Sequence, residues 1–486
     1  MKSRIFVLVW SVVLVSCAPS SRLIVGTRPP LPSTSPYSSL KTEIDALLPD
    51  TLFPPAQVGI KIVSLRSGET LYELNPDYLY LPASNEKLLT SAAALAVLGE
   101  NYRFATQVCF DTVASPRIYV KGSGDPMLIT ADIDSIARLV GPHLPAGKRW
   151  ILCADLSLFD DVSWGQGWTW DDEPSTDAMF ITPLSVNGNG VTVRALPAAT
   201  VGEQPIVSLE PLTSSISVEN TAQTVADSVR TPLRITRKWR ERSNTITVSG
   251  ELLVSSPGTR ERLSVWQPEW YTLTLFREAL AAQGVQCEGL VADTIPVTAV
   301  ELFRFERRLD SVVTYMNKVS DNLSAENILK TLAAVKVGLP GSGDAGMSIV
   351  KGFLTVNGID TTKIVLADGS GVSRYNLLSP SAIIRLLMSM YGKPEYFSAW
   401  YRSLPIAGED GTLASRMRGT AAEHNLRAKT GTLNGVSNLS GYVNTADGEL
   451  LAFSIFMQDY PGEVNVLRRV QDKIGTLLAE LRRGRL

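Results

Sequence analysis

The chain has 486 residues, with 46 Lys and Arg against 48 Asp and Glu and a formal net charge of −2. Apolar residues make up 44%, enough for a sizeable core, which excludes global disorder; near-neutrality without a long basic run argues against nucleic acid as a partner. Only two His are present (His143, His424), which argues against a His-based triad or a multi-His zinc site, so neither a metal nor a cofactor is expected.

Lys2 and Arg4 precede an apolar run over residues 5–15. This reads as a secretory signal, too short to span a bilayer as a mature helix. Leu14-Val15-Ser16-Cys17 has the form of a lipobox, in which the Cys becomes the lipidated first residue of the mature chain. The alternative is an ordinary signal cut nearby. Residues 1–17 therefore read as the signal, with Cys17 as the lipidation candidate. Residues 18–36, with Pro19, Pro29, Pro30, Pro32 and Pro36, read as an extended tether. The expected location is the periplasm or cell envelope, with the membrane met only through the lipid anchor.

Ser39 is a candidate N-cap for a helix carrying Leu40, Ile44, Leu47 and Leu48 on one face. Residues 58–65 and 70–75 flank Arg66-Ser67-Gly68-Glu69, a hairpin signal. Pro82-Ala83-Ser84-Asn85-Glu86-Lys87 leads into residues 88–98, apolar all round, which predicts a centrally buried helix. From about 105 to 300, strand-like runs (117–121, 151–158, 191–196, 245–249) alternate with Gly, Pro and Ser breaks. Helices are predicted at 131–140 and 270–283, within a β-rich insert of one module or two nested ones. Cys109 and Cys153 lie in strand-like runs and either pair or stay buried as thiols, with Cys287 left over. Residues 441–445 and 450–457 flank Asp447-Gly448, another hairpin, and a last helix carries Leu467, Val470, Ile474, Leu477, Leu478 and Leu481 on one side. Strands and covering helices at both ends predict one α+β domain, residues 37–104 and 301–486, closed around an insert at 105–300.

Three short motifs carry chemistry. Ser84-x-x-Lys87 puts a hydroxyl and an amine on one helix face. At a helix start, free N–H groups and the dipole stabilise a developing alkoxide. A desolvated Lys near another cation has a lowered pKa and serves as a base. The spacing recurs at Ser38/Lys41 and Ser348/Lys351, in stretches that read as surface-facing helix, so alone it is weak. Ser320-Asp321-Asn322, before another predicted helix, offers a hydroxyl to relay a proton and an amide to orient the Lys; Ser185-Val186-Asn187 matches the same pattern. Lys429-Thr430-Gly431-Thr432 holds the only K-T-G of the chain, in a predicted edge strand over 426–436. Its cation and hydroxyls suit a carboxylate, and Gly431 lets a substrate backbone approach. Singly, each reads as surface polarity. In this order, each in its proper local context, they point to acyl transfer by a serine.

The set resembles that of the serine penicillin-recognising enzymes: S-x-x-K, S-x-N and K-T-G. The long gap from Ser84 to Ser320 narrows the resemblance to the class C low-molecular-mass penicillin-binding proteins, the D-alanyl-D-alanine carboxypeptidase/endopeptidase (type-4) family, which inserts extra domains between the first two motifs. Gly122-Ser123-Gly124-Asp125-Pro126, Gly167-Trp168-Thr169-Trp170-Asp171-Asp172, Asp368-Gly369-Ser370-Gly371-Val372-Ser373-Arg374 and Leu404-Pro405-Ile406-Ala407-Gly408-Glu409-Asp410-Gly411-Thr412-Leu413 match as well.

The resemblance implies a penicillin-recognising, transpeptidase-like α+β fold acting on peptidoglycan stem peptides, with β-lactams as covalent inhibitors. Ser84 is then the nucleophile, Lys87 the base and Ser320 the proton donor to the departing amine. Asn322 orients Lys87 and the substrate amide, while Lys429, Thr430 and Thr432 bind the terminal carboxylate. Backbone N–H groups of Ser84 and Thr432 form the oxyanion hole, and Lys429 holds Lys87 neutral as a like charge. Asp172, Phe180 and Arg374 fall where the family contacts the third stem residue; one anion and one cation suit a zwitterionic diamino-acid end such as meso-diaminopimelate. A β-lactamase is the first rival, but no deacylating Glu signature lies between the second and third motifs and the insert has no place in one. A non-catalytic wall-binding scaffold is the second, against which every catalytic position is intact. A lipase-like α/β-hydrolase is disfavoured because G-x-S-x-G is absent.

Overall fold

In chain order, the computed structural model, which describes residues 38–48 and 56–483, begins with α1 (Ser38–Leu47), the hairpin β1 (Gln57–Ser64) and β2 (Thr70–Leu74), and α2 (Glu86–Leu98). The inserted part then runs β3 (Arg103–Asp111), β4 (Arg117–Lys121), α3 (Thr130–Val140), β5 (Arg149–Asp155), β6 (Gly190–Leu196), β7 (Ile206–Glu210), β8 (Ser217–Asn220) and β9 (Gln223–Val225). It continues with β10 (Arg234–Arg237), β11 (Thr245–Ser249), β12 (Glu251–Leu253), β13 (Thr259–Ser264), α4 (Pro268–Ala281), β14 (Gln286–Ala292) and β15 (Val300–Arg308). The chain ends with α5 (Leu309–Val319), α6 (Asn322–Lys336), α7 (Gly343–Val356), α8 (Pro380–Tyr391), α9 (Pro394–Ser403), β16 (Arg427–Leu433), β17 (Val436–Asn444), β18 (Leu450–Gln458) and α10 (Val464–Glu480). The expected signal, Cys17 and the tether lie outside the described residues. Among the described residues, no helix is long and apolar enough to cross a membrane.

The chain ends meet in one antiparallel sheet, ordered β16-β17-β18-β1-β2. Its central strand β18 is apolar at nearly every position because both of its faces are covered. Ala452 and Phe456 point into the core shared with α2, α5, α6, α7, α8 and α9, while Leu451, Phe453, Ile455 and Met457 point into the core under α1 and α10. The helix α2 is buried along its first ten residues, as its all-round apolar sequence predicts. α1 already begins at Ser38, so Ser39 lies inside its first turn instead of capping it.

The inserted part has its own core and a mixed sheet, β14-β5-β4-β3-β15, with the smaller sheets β13-β6-β7, β10-β11-β8 and β12-β9 beside it. β3 and β15 are partners, paired from Arg103 with Arg308 to Phe110 with Val300. The boundaries expected at 104/105 and 300/301 thus cut through two paired strands. The chain leaves and re-enters the terminal sheet's domain along one ribbon, and the inserted sheet extends to Arg103 and Arg308.

Register also decides the cysteines. Tyr119 pairs with Cys109 on one side and with Cys153 on the other, so the two sit two strands apart, roughly 9–10 Å. A disulfide needs Cα atoms within about 7 Å. Cys109 and Cys153 are buried free thiols, and Cys287 is free too.

Candidate active site

Ser84 lies in a single 3₁₀ turn, Ala83–Asn85, immediately before α2, and the preceding Ala83 has a positive φ of 46°. This conformation is uncommon for a residue with a Cβ, and such strain gathers where a side chain must be held in one direction. Lys87, one turn on, is fully buried. Its Nζ donates to Ser84 Oγ at 3.0 Å, to Asn322 Oδ1 at 2.5 Å and to the Ser370 carbonyl at 2.6 Å. Burial pulls its pKa down to about 8, against the opposing pull of Asp368, Asp321, Glu326 and Asp177.

Ser320 ends α5 in the left-handed region, with φ 64°. That kink lets Asp321 cap α6 by accepting from the Ser324 N–H at 2.7 Å, and it puts Ser320 and Asn322 at the same junction. Ser320 Oγ accepts from Lys429 Nζ at 2.8 Å. Asn322 Nδ2 donates to the Asp177 carbonyl at 2.6 Å. The five polar residues Ser84, Lys87, Ser320, Asn322 and Lys429 therefore converge as two hydrogen-bonded sets in one site.

Lys429 is on β16, an edge strand as expected, and is fully buried, also donating to the Thr430 carbonyl at 3.0 Å. Burial first, and then the charge of Lys87, hold its pKa well below the usual lysine range. Of the two expected causes, desolvation and a neighbouring cation, burial is the larger for both lysines. Gly431 differs from expectation. A Cβ there would meet the Pro82 carbonyl at 2.7 Å and Asn85 Nδ2 at 2.9 Å, so the missing side chain admits the Ser84 turn instead of a substrate. Asn85 Nδ2 ties that turn to β16 by donating to the Lys429 carbonyl at 3.2 Å.

Ser84, Ser320, Asn322, Thr430 and Thr432, among others, line a groove of about 1040 Å³. Thr430 Oγ1 donates to Thr412 Oγ1 at 2.8 Å. Asp172 and Arg374 also line the groove, as do Asp171 and Asp177. Asp172 Oδ2 accepts the Thr169 N–H at 2.8 Å, and Arg374 is exposed. Phe180 does not join them. Its ring is buried against Trp164 and Trp266, at centroid distances of 5.1 and 4.8 Å, and is not among the residues that line the groove.

Sequence reasoning missed the layer beneath. Asp368 accepts from Trp168 Nε1, Ser370 Oγ, the N–H groups of Gly371 and Ser373, and Asn376 Nδ2, all within 3.2 Å. It thereby shapes the loop whose Ser370 carbonyl faces Lys87. Glu326, buried and accepting from the Gly369 N–H at 3.1 Å, has a pKa pushed up to about 7 by burial and by Asp368. Glu86 is buried with neither oxygen hydrogen-bonded among the described residues. The matching segments around Trp168 and Asp368 were visible in the sequence, but the Asp177 contact uses a main-chain carbonyl and leaves no side-chain signal.

Comparisons with known proteins identify the family and the fold. The chain matches the D-Ala-D-Ala carboxypeptidase 3 (S13) family over residues 40–481. It is 36% identical over 479 residues to a D-alanyl-D-alanine carboxypeptidase from an Actinomadura species, covering 94% of this chain and 88% of the relative. It is 26% identical over 415 residues to a D-alanyl-D-alanine carboxypeptidase from Haemophilus influenzae, covering 83% and 86%. The fold matches the crystal structure of penicillin binding protein 4 from Haemophilus influenzae with a TM-score of 0.79 at 23% identity, over 90% of this chain and 99% of that one. The same protein complexed with a β-lactam matches with a TM-score of 0.74 at 22% identity, over 90% and 100%. By sequence over nearly its whole described length, the chain belongs to the D-Ala-D-Ala carboxypeptidase 3 (S13) family.

Proposed function

We propose that this protein is a serine DD-peptidase that cleaves D-alanyl-D-alanine ends, D-alanyl–diamino-acid cross-links, or both, in peptidoglycan. The observation that carries this reading is the Lys87 Nζ hydrogen bond to Ser84 Oγ inside a buried site that also holds Ser320 and Lys429. Ser84 Oγ attacks the carbonyl carbon of the penultimate D-Ala as its proton passes to Lys87, and the tetrahedral oxyanion is met by backbone N–H groups of Ser84 and Thr432. The C–N bond then breaks as Ser320 passes a proton to the leaving amine, replacing it with the one Lys87 took from Ser84. Water hydrolyses the acyl-serine ester, releasing the shortened stem and restoring the Ser84 hydroxyl. Losing one oxyanion donor typically costs about 100-fold or more in kcat.

β-Lactams enter the same path as substrate mimics and stop at the acyl-serine. Asp172 and Arg374 are the residues suited to the zwitterionic end of a diamino acid such as meso-diaminopimelate. Export and anchoring at Cys17 complete the reading; they rest on residues 1–17 of the sequence, and the mass of the mature N-terminal peptide, with or without a diacylglyceryl group, checks them.

The test of the activity is covalent labelling. Wild-type protein takes up a fluorescent penicillin and releases D-Ala from an acyl-D-Ala–D-Ala peptide, and Ser84→Ala does neither. Labelling that persists in Ser84→Ala refutes the assignment.

A further inference from the structure

The groove is lined by charges of both signs: Asp171, Asp172, Asp177 and Asp472 with Arg374, Arg416, Arg468 and Arg469, alongside Thr430 and Thr432. Neither Lys87 nor Lys429 lines it. Lys429 is fully buried and turned inward, onto Ser320 Oγ and the Thr430 carbonyl. A carboxylate resting on the two threonines must take its counter-charge from another residue.

Arg416 is already committed. It pairs with Asp472 at 2.7 Å and donates to Gln471 Oε1 at 3.1 Å. Arg469, the next residue, is exposed and points away from the face of Arg468, and among the described residues it makes no hydrogen bond to Thr430 or Thr432. Arg468, on the second turn of α10, is half-buried. Its Nη2 donates to Thr432 Oγ1 at 3.4 Å and its Nη1 to Asn465 Oδ1 at 3.3 Å. Asn465 and Arg468 are three apart and share a helix face, so the amide steadies the guanidinium over the strand. Among the described residues, no carboxylate is in ion-pair contact with Arg468. It presents a fixed, planar charge with donors to spare, the geometry that suits a carboxylate.

We propose that Arg468 is a specificity-determining residue that supplies the positive charge for the α-carboxylate of the leaving residue, beside the Thr432 hydroxyl. This rests on the DD-peptidase reading above. In a stem terminus the leaving residue is D-Ala. In a cross-link, the leaving amine is on a diamino-acid carbon that also bears a carboxylate, so one arginine serves both bonds.

The experiment compares wild type with Arg468→Ala, Arg468→Gln and Arg468→Lys on an acyl-D-Ala–D-Ala peptide and on its C-terminal amide. Acylation by benzylpenicillin and by its methyl ester repeats the comparison in one covalent step, and thermal melting confirms folding. Arg468→Ala and Arg468→Gln are expected to lower kcat/KM for the free acid about 10- to 100-fold, mainly through KM, because a charge-assisted contact is lost. On the uncharged partners they stay within about twofold of wild type, and Arg468→Lys recovers part of the loss on the acid. Equal losses on acid and amide, or no loss on either, overturn the role of Arg468 and leave the DD-peptidase reading standing. A wild type that releases no D-Ala overturns that reading and this inference with it.

Discussion

Asn322 and Asp177 are 145 positions apart and joined by a 2.6 Å hydrogen bond, from the Asn322 Nδ2 to the Asp177 carbonyl. A carbonyl only accepts, so this contact fixes which end of the amide faces inward. Asn322 Oδ1 is thereby turned to Lys87 Nζ, 2.5 Å away. A main-chain group of the inserted part thus orients the acceptor that holds the candidate base. The same loop sends Trp168 Nε1 to Asp368 at 2.8 Å, so the wall of the groove and its buried floor are built together.

The pH dependence of acylation follows from the burial of Lys87. A base acts as the neutral amine, and the Lys87 pKa of about 8 means that half is neutral there. The second-order rate of penicillin acylation should rise about tenfold per pH unit below that point and level off above it. Stopped-flow acylation across the neutral to mildly alkaline range checks this. A flat profile, or an inflection in the ordinary lysine range, contradicts Lys87 as the base.

Gly371 has φ +85°, and a Cβ on it would sit on the Ala83 carbonyl. Gly371→Ala should therefore push the Ser84 turn out of place, costing about 3 kcal/mol or more and most of the acylation activity. Gly352, inside α7 with open space around its Cβ position, is the control. Gly352→Ala should stabilise by about 0.5–1 kcal/mol and leave acylation intact. Thermal melts and penicillin labelling of both variants read the outcome.

Glu86 is fully buried, and burial followed by the charges of Asp368 and Glu326 pushes its pKa well above the usual carboxylate value. The folded protein keeps a proton that the unfolded chain releases above the ordinary value of 4.5. Stability from this group is therefore lost as pH rises from 4.5 toward the folded pKa. Glu86→Gln removes the penalty. Its melting temperature should exceed that of wild type, and the gap should widen as pH rises above the ordinary value of 4.5 toward the folded pKa. Melts that give a constant or narrowing gap would show Glu86 to be ionised in the fold.

Arg374 and Asp172 should separate by substrate. Arg374→Ala is expected to raise KM about tenfold for stems whose third residue ends in a carboxylate and amine, with little change for stems ending in an amine alone. Asp172→Asn should weaken both, since both carry the ammonium. Phe180→Leu should change stability more than specificity, because that ring packs on Trp164 and Trp266. Steady-state kinetics on the two peptides distinguish these cases.

Much of the architecture was legible because it is local. The turns Arg66-Ser67-Gly68-Glu69 and Asp447-Gly448 mark the hairpins β1–β2 and β17–β18, and the all-apolar run after Lys87 marks α2 as central. Where locality ended, so did the reading. The division expected at 105 and 300 missed the ends of β3 and β15 because only their mutual pairing defines those ends. Only the resemblance implies a place for Phe180 at the groove, and the direction of its ring depends on Trp266, far along the chain. In the sequence Gly431 reads as room for substrate, whereas the object filling that room is the Pro82 carbonyl.

The amino-acid sequence by itself determined the chemistry available: a hydroxyl and an amine one helical turn apart, a serine and amide at a helix junction, and a lysine on an edge strand. Each is set by a handful of neighbouring residues, and short-range geometry carries it. Only the tertiary structure decided what those groups do to one another. Burial lowers the pKa of Lys87, Asp177 orients Asn322, Asp368 shapes the loop facing Lys87, and Arg468 comes to stand beside Thr432. Desolvation and long-range hydrogen bonds depend on what surrounds a group in space, and strands and loops distant along the chain supply those surroundings.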